Sequence, residues 1–123
     1  MADATPIPTL IVAGGSAAER EHRIADALAN RPPARTAVLL EGLPDGSAHL
    51  QESPELVIAR TVAGCLCCTG NLVMKVTLNR LLRTHPSQLF IGVASTGHLA
   101  ALHLVLSSPP YSAYLCVMQE GAT

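Results

Sequence analysis

Short apolar runs alternate with longer amphipathic stretches along this chain, and the two periods separate strands from helices. "TLIVAGG", Thr9 to Gly15, is a β-rich apolar run closed by two glycines. The polar, Ala-rich stretch Ser16 to Asn30 follows, with Ile24 and Leu28 one helical turn apart, so a strand and then a helix are expected. "TAVLL", Thr36 to Leu40, comes after the breaker Pro32-Pro33 and reads as a second buried strand. Glu41 to Glu55 holds Gly, Pro, Asp and Ser without a helical stripe and reads as a loop, and "LVIARTV", Leu56 to Val62, as a third strand. From Asn71 to Thr84, Met74, Leu78, Leu81 and Leu82 form an apolar stripe with Lys75, Asn79, Arg80 and Arg83 off it, and Pro86 ends the pattern. "QLFIGVA" (Gln88 to Ala94) is a fourth strand, "HLAALHLVLSS" (His98 to Ser108) a third helix stopped by Pro109-Pro110, and "AYLCVM" (Ala113 to Met118) a fifth strand.

The order β-α-β-β-α-β-α-β predicts an α/β layer structure, a mostly parallel sheet of about five strands with three flanking helices, in one domain over residues 1–123. Ligands of such sheets gather beyond the carboxyl ends of the strands. The residues there become the functional candidates: Gly14 and Gly15, Glu41, Cys65 to Cys68, then Ser95, Thr96 and Gly97. The link from the second strand to the third lacks a helix, which leaves open an antiparallel third strand at a sheet edge.

Composition narrows the classes. Hydrophobic residues make up 49% of the chain and aromatics 2%, so the core must be built from branched aliphatics and alanine. A net charge of -1, with no Lys/Arg cluster, offers no footprint for nucleic acid or an anionic membrane surface. The longest apolar runs, such as Leu99 to Leu106, are too short to span a bilayer, and the acidic start "MADATPIPTL" does not read as a secretory signal. Three crowded cysteines with Cys116 far away do not look like disulfide staples, so a reducing compartment, the cytoplasm, is expected.

The first glycine turn sits where a phosphate loop would. Such a loop needs Gly-x-x-x-x-Gly-Lys-[Ser/Thr], because backbone amides cradle phosphates, lysine reaches the outer ones and the hydroxyl holds magnesium. Counted from Gly14, this chain offers Glu19, Arg20 and Glu21 at the last three positions, and counting from Gly15 is no better. Ser16-Ala17-Ala18-Glu19 reads instead as a capping box, in which the helix satisfies its own first donors. Bound GTP is therefore not expected, and the first-turn carboxylates would repel a triphosphate.

"GCLCCTG", Gly64 to Gly70, is the densest chemistry in the chain. Thiolates suit zinc, copper(I) and cobalt(II), and thiols at the mouth of a helix have a lowered pKa. Cys65, Cys67 and Cys68 supply three ligands from one loop, one short of a closed structural zinc site. A fourth can come from water, a carboxylate such as Glu41, a histidine or a partner's side chain, and an ion held this way suits transfer to a client metalloprotein. Two other readings stay open: Cys65 and Cys68 as a Cys-x-x-Cys redox pair, and buried cysteine as a small hydrophobe. Other residues read more blandly. His98 and His103 flank a helix as surface or core filling, His22, His49 and His85 have no recognisable partners, Cys116 in its apolar strand is expected to be buried, and Ser95 and Thr96 cap the following helix. No Ser-His-Asp set or paired-carboxylate site can be assembled, so no catalytic residue is assigned.

A strand, a glycine turn and a helix, then a strand ending in Glu41, then "AGCLCCTGNL" before an amphipathic helix, then "STG" after an apolar strand resemble the CobW-type GTPases, metal-handling relatives of the urease- and hydrogenase-maturation GTPases. The resemblance covers most of this chain and the N-terminal part of a usual family member. It implies a P-loop-NTPase-like fold and ties Cys65, Cys67 and Cys68 to zinc, cobalt or a similar ion. Departures accompany it. The family's Asn-Glu-Phe-Gly stands here as Leu40-Glu41-Gly42-Leu43, and its Glu-Thr-Thr-Gly-Leu-Ala-Asp-Pro as Ala94-Ser95-Thr96-Gly97-His98-Leu99-Ala100-Ala101. The base-reading Asn-Lys-x-Asp segment and the C-terminal domain would lie past Thr123. The expectation is a nucleotide-free offshoot that binds or transfers a thiophilic metal, zinc first, with self-association or a client as partner. The alternatives are an interaction module that keeps the scaffold without the chemistry, or a weak residual GTP binder in which Arg20 replaces the lysine.

Overall fold

The computed structural model describes residues 6–42, 50–61, 72–94, 97 and 99–119. Five strands, β1 (Ile7–Ala13), β2 (Thr36–Glu41), β3 (Leu56–Thr61), β4 (Gln88–Val93) and β5 (Leu115–Gln119), form one sheet in the order β3-β2-β4-β1-β5. Every neighbouring pair is parallel. The helices are α1 (Ala17–Ala29), α2 (Leu72–Leu82) and α3 (Leu99–Leu106), with a short 3-10 turn at Tyr111–Ala113 before β5. The α/β architecture expected from the periodicity is therefore present.

The third strand lies at an edge, as the missing helix suggested, but it is parallel to β2, with Thr36 opposite Leu56 and Glu41 opposite Thr61. A parallel return needs a connection of roughly a dozen residues, a length that the chain from Gly42 to Glu55 supplies. The described end of that connection packs onto the sheet through Leu50, which is buried beside Val12, Ile24, Val38, Leu40 and Phe90.

Alternation along the strands divides the core in two. Val12, Val38, Leu40 and Phe90 face α1, while Ile11, Leu39, Leu89 and Ile91 face the layer of α2 and α3. Strands β2 and β4 are buried at every position, which is why they read as unbroken apolar runs. Phe90, the one phenylalanine of the chain, sits on the middle strand and is covered by the Arg31 guanidinium, 5.2 Å from the ring centroid. The predicted α2 stripe of Met74, Leu78 and Leu81 is sealed against the sheet. Cys116 departs from expectation. It lies on the outer strand β5 and is exposed, since its neighbour Leu115 takes the inward position toward α3 and Cys116 points to the other face.

Candidate functional site

Parallel pairing carries the carboxyl ends of all five strands to one edge of the sheet. Gly14 and Gly15 follow β1 and Glu41 closes β2, so these sequence-predicted positions lie on that edge, and Thr61 at the end of β3 and Ala94 after β4, which were not among them, lie there too. Cys65, Cys67 and Cys68, with Ser95, Thr96, His49 and His98, lie outside the described residues. Gly97 is described and exposed.

Glu41 is the buried centre of this edge, at 4% exposure. Its Oε1 accepts from the Ala94 amide at 2.8 Å, which ties the end of β2 to the loop leaving β4. Its backbone carbonyl accepts from Arg20 Nη2 at 3.1 Å. Its register partner Thr61 is the last described residue before the cysteine run, and the Gly42 amide extends the ladder by donating to Thr61 O at 2.7 Å. Gly42 can do so because its φ of 108° is open to glycine.

The first turn is occupied by its own side chains. Gly14 and Gly15 have φ of 83° and 75°, and Ser16 caps α1. The Ser16 amide donates to Glu19 Oε1 at 2.8 Å and the Glu19 amide to Ser16 Oγ at 3.1 Å, the reciprocal box that the spacing predicts. The Gly14 amide donates to Val93 O at 3.0 Å. The turn's carbonyls are held too: Arg20 Nη1 donates to Gly15 O, and Arg23 Nη2 donates to Ala13 O and Gly14 O at 2.9 and 2.8 Å. Burial pushes the Arg20 guanidinium below its ordinary value, with Glu41 opposing the shift and Arg23 adding to it.

Glu21, counted from the sequence as a first-turn carboxylate that repels phosphate, is instead buried and paired on the same helix. Its Oε2 accepts from the Leu50 amide at 3.0 Å and its Oε1 pairs with Arg60 Nη1 at 3.2 Å. One carboxylate thus binds α1 to the β2–β3 connection and to the end of β3, one residue before Thr61. A signal for it exists in the chain: Glu21, Ile24 and Leu28 recur at helical spacing, so a charge lies on the apolar stripe. His22, expected to lack a partner, pairs with Asp26 one turn on, at 3.5 Å on the exposed face. Among the described residues, no group of three or more His, Cys, Asp or Glu could hold a metal ion, and none of the helices is long and apolar enough to cross a membrane.

The chain is similar to a zinc chaperone. It is 35% identical over 74 residues to the zinc chaperone YeiR of Escherichia coli (strain K12), an alignment covering 59% of this chain and 20% of that relative. The chain therefore spans about a fifth of the relative's length. This similarity supports a relationship to metal handling. No family model and no solved structure matches the chain.

Proposed function

We propose that this chain binds a thiophilic metal, zinc first, through Cys65, Cys67 and Cys68, with Glu41 near enough to contribute a carboxylate, and passes the ion to a client metalloprotein in the cytoplasm. The observation that carries the reading is the register of β2 on β3: Glu41 stands beside Thr61, four residues before Cys65. Strands pair about 4.8 Å apart, and four residues span at most roughly 13 Å, so in this reading the thiol run folds back over the end of β2 to meet the Glu41 carboxylate. Similarity to a zinc chaperone supports the same chemistry. The Ala94 amide takes Glu41 Oε1, so Oε2 would be the ligating oxygen in this reading.

In this reading residues 1–123 form one degenerate CobW-type domain that has lost nucleotide binding and is not an enzyme. The self-capped turn supports that part. The Ser16 and Glu19 amides are taken by each other's side chains and the Gly14 amide by Val93 O, so three donors a phosphate cradle would present are already used. The same observation favours a second reading, an interaction module that retains only the scaffold.

Cobalt(II) titration of the reduced protein separates the two. Metal binding gives a thiolate-to-cobalt charge-transfer band that saturates at one equivalent, is lost in the Cys65→Ser, Cys67→Ser, Cys68→Ser protein and shifts in Glu41→Gln. A blank spectrum with accessible thiols overturns the metal reading in favour of the interaction module. Saturable binding of a fluorescent GTP analogue would overturn the loss of nucleotide.

A further inference from the structure

The outer layer of α2 and α3 carries a pattern that metal capture does not use. While Met74, Leu78 and Leu81 face the sheet, Lys75, Val76, Asn79, Leu82 and Arg83 recur at the spacing of a single helix flank. Two depressions open along that flank and share Asn79. One, of about 600 Å³, lies between α2 and α3 and includes Val76, Leu104 and Tyr111. The other, of about 550 Å³, lies at the end of α2 and includes Leu82, Arg83, His85 and Tyr114. Tyr111 Oη donates to Asn79 Oδ1 at 3.1 Å and so sets the side chain where the two meet. Together they make a trough along α2, on which Lys75 and Arg83 stand roughly 12 Å apart at 1.5 Å per residue.

Large apolar side chains stay in water along this trough. Leu104 is 68% exposed, Tyr114 56% and Val76 48%, the large exposed hydrophobics among the described residues. Scattered singly they would mean little, but they lie on one feature. Its charge has one sign. No Asp or Glu occurs between Glu55 and Glu120, so Lys75 at one end and Arg83 with His85 at the other have no carboxylate on either helix to answer them.

We propose that the trough docks an acidic amphipathic helix of a partner protein, with apolar side chains on Val76, Leu104 and Tyr114 and carboxylates reaching Lys75 at one end and Arg83 at the other. In helix-in-groove recognition an amphipathic helix lays apolar anchors at i, i+3, i+4 and i+7 into such an apolar groove, and here Val76, Leu104 and Tyr114 are the apolar side chains that would receive them. Charge complementarity selects the occupant, because a second copy of this face would set cations against cations. The proposal requires neither the thiol loop nor a bound ion.

The test is fluorescence anisotropy with a labelled helical peptide bearing leucines at i, i+3, i+4 and i+7 and glutamates elsewhere, against a counterpart with lysine for glutamate. The acidic peptide should bind saturably, weaken about tenfold at high salt, and weaken by about tenfold or more in Leu104→Glu and in the Lys75→Glu, Arg83→Glu protein. Circular dichroism should show both variants folded, since these side chains are exposed. Absence of saturable binding, equal binding of the basic peptide, or full binding by Leu104→Glu overturns the proposal. Self-association of the wild type that Leu104→Glu abolishes, seen by sedimentation equilibrium, would assign the trough to a second copy and overturn it as well.

Discussion

Glu21 and Gly15 show how single residues hold the carboxyl edge of the sheet together. Arg60 and the Leu50 amide both donate to Glu21 and so offset the cost of burying its charge. Glu21→Ala leaves a partly exposed guanidinium and a buried amide unanswered, and is expected to cost about 2–4 kcal/mol. The urea midpoint measures the loss, and Glu21→Gln, which can still accept from Leu50, should recover part of it. Gly15 is constrained differently. A Cβ there would come within 2.7 Å of Glu19 Oε1, the acceptor for the Ser16 amide, at a φ of 75°. Gly15→Ala should therefore both strain the turn and loosen the cap, for about 1–3 kcal/mol in all. Equal stability of wild type and Gly15→Ala would show that the capping box bends freely.

At the scale of elements, α3, the 3-10 turn and α2 are joined by Tyr111, whose ring is buried and whose hydroxyl donates to Asn79. Burial raises the Tyr111 pKa above its ordinary 10.0, so the folded chain keeps this proton at a pH where the unfolded chain has released it. The unfolded state then binds fewer protons, and stability falls as pH rises from about 10. Tyr111→Phe should lose about 1 kcal/mol at neutral pH with the hydrogen bond, yet show a flatter alkaline decline when urea midpoints are followed upward from about pH 9. Most elements were legible in the chain, because strands buried on both faces must be continuous runs and α2 must carry a stripe. The direction of β3 was not, since parallel and antiparallel edges bury the same side chains. Nor was the exposure of Cys116 on β5, which points to the face opposite Leu115 within the apolar run "LCVM". The spacing puts Glu21 on the apolar stripe of α1, but the partners that satisfy it and Arg20, at Leu50, Arg60 and the end of β2, are distant in sequence and are set only by the fold.

For the molecule as a whole, the parallel sheet concentrates its chemistry on one edge and leaves the outer helical layer for contacts of another kind. Of the candidate site, the placement of Gly14, Gly15 and Glu41 on one edge followed from the order of elements, whereas the guanidinium groups that fill the turn depended on distances no spacing encodes. Metal binding through the cysteine run should appear as global stabilisation. Zinc at about a hundred times its dissociation constant should raise unfolding free energy by about 2.7 kcal/mol, read as a higher thermal midpoint that vanishes in the triple Cys→Ser protein. A midpoint indifferent to zinc would remove the metal from the account.

Cys116 has a practical consequence for all such measurements. An alkylating or disulfide reagent will meet this thiol at the rim of the sheet whatever the state of the other three, so sulfhydryl counts carry a constant background. In a Cys116→Ser protein, reagent uptake reports on the clustered thiols alone. Conversely, a fluorophore attached at 116 marks the outer strand β5 and leaves the other three thiols unmodified.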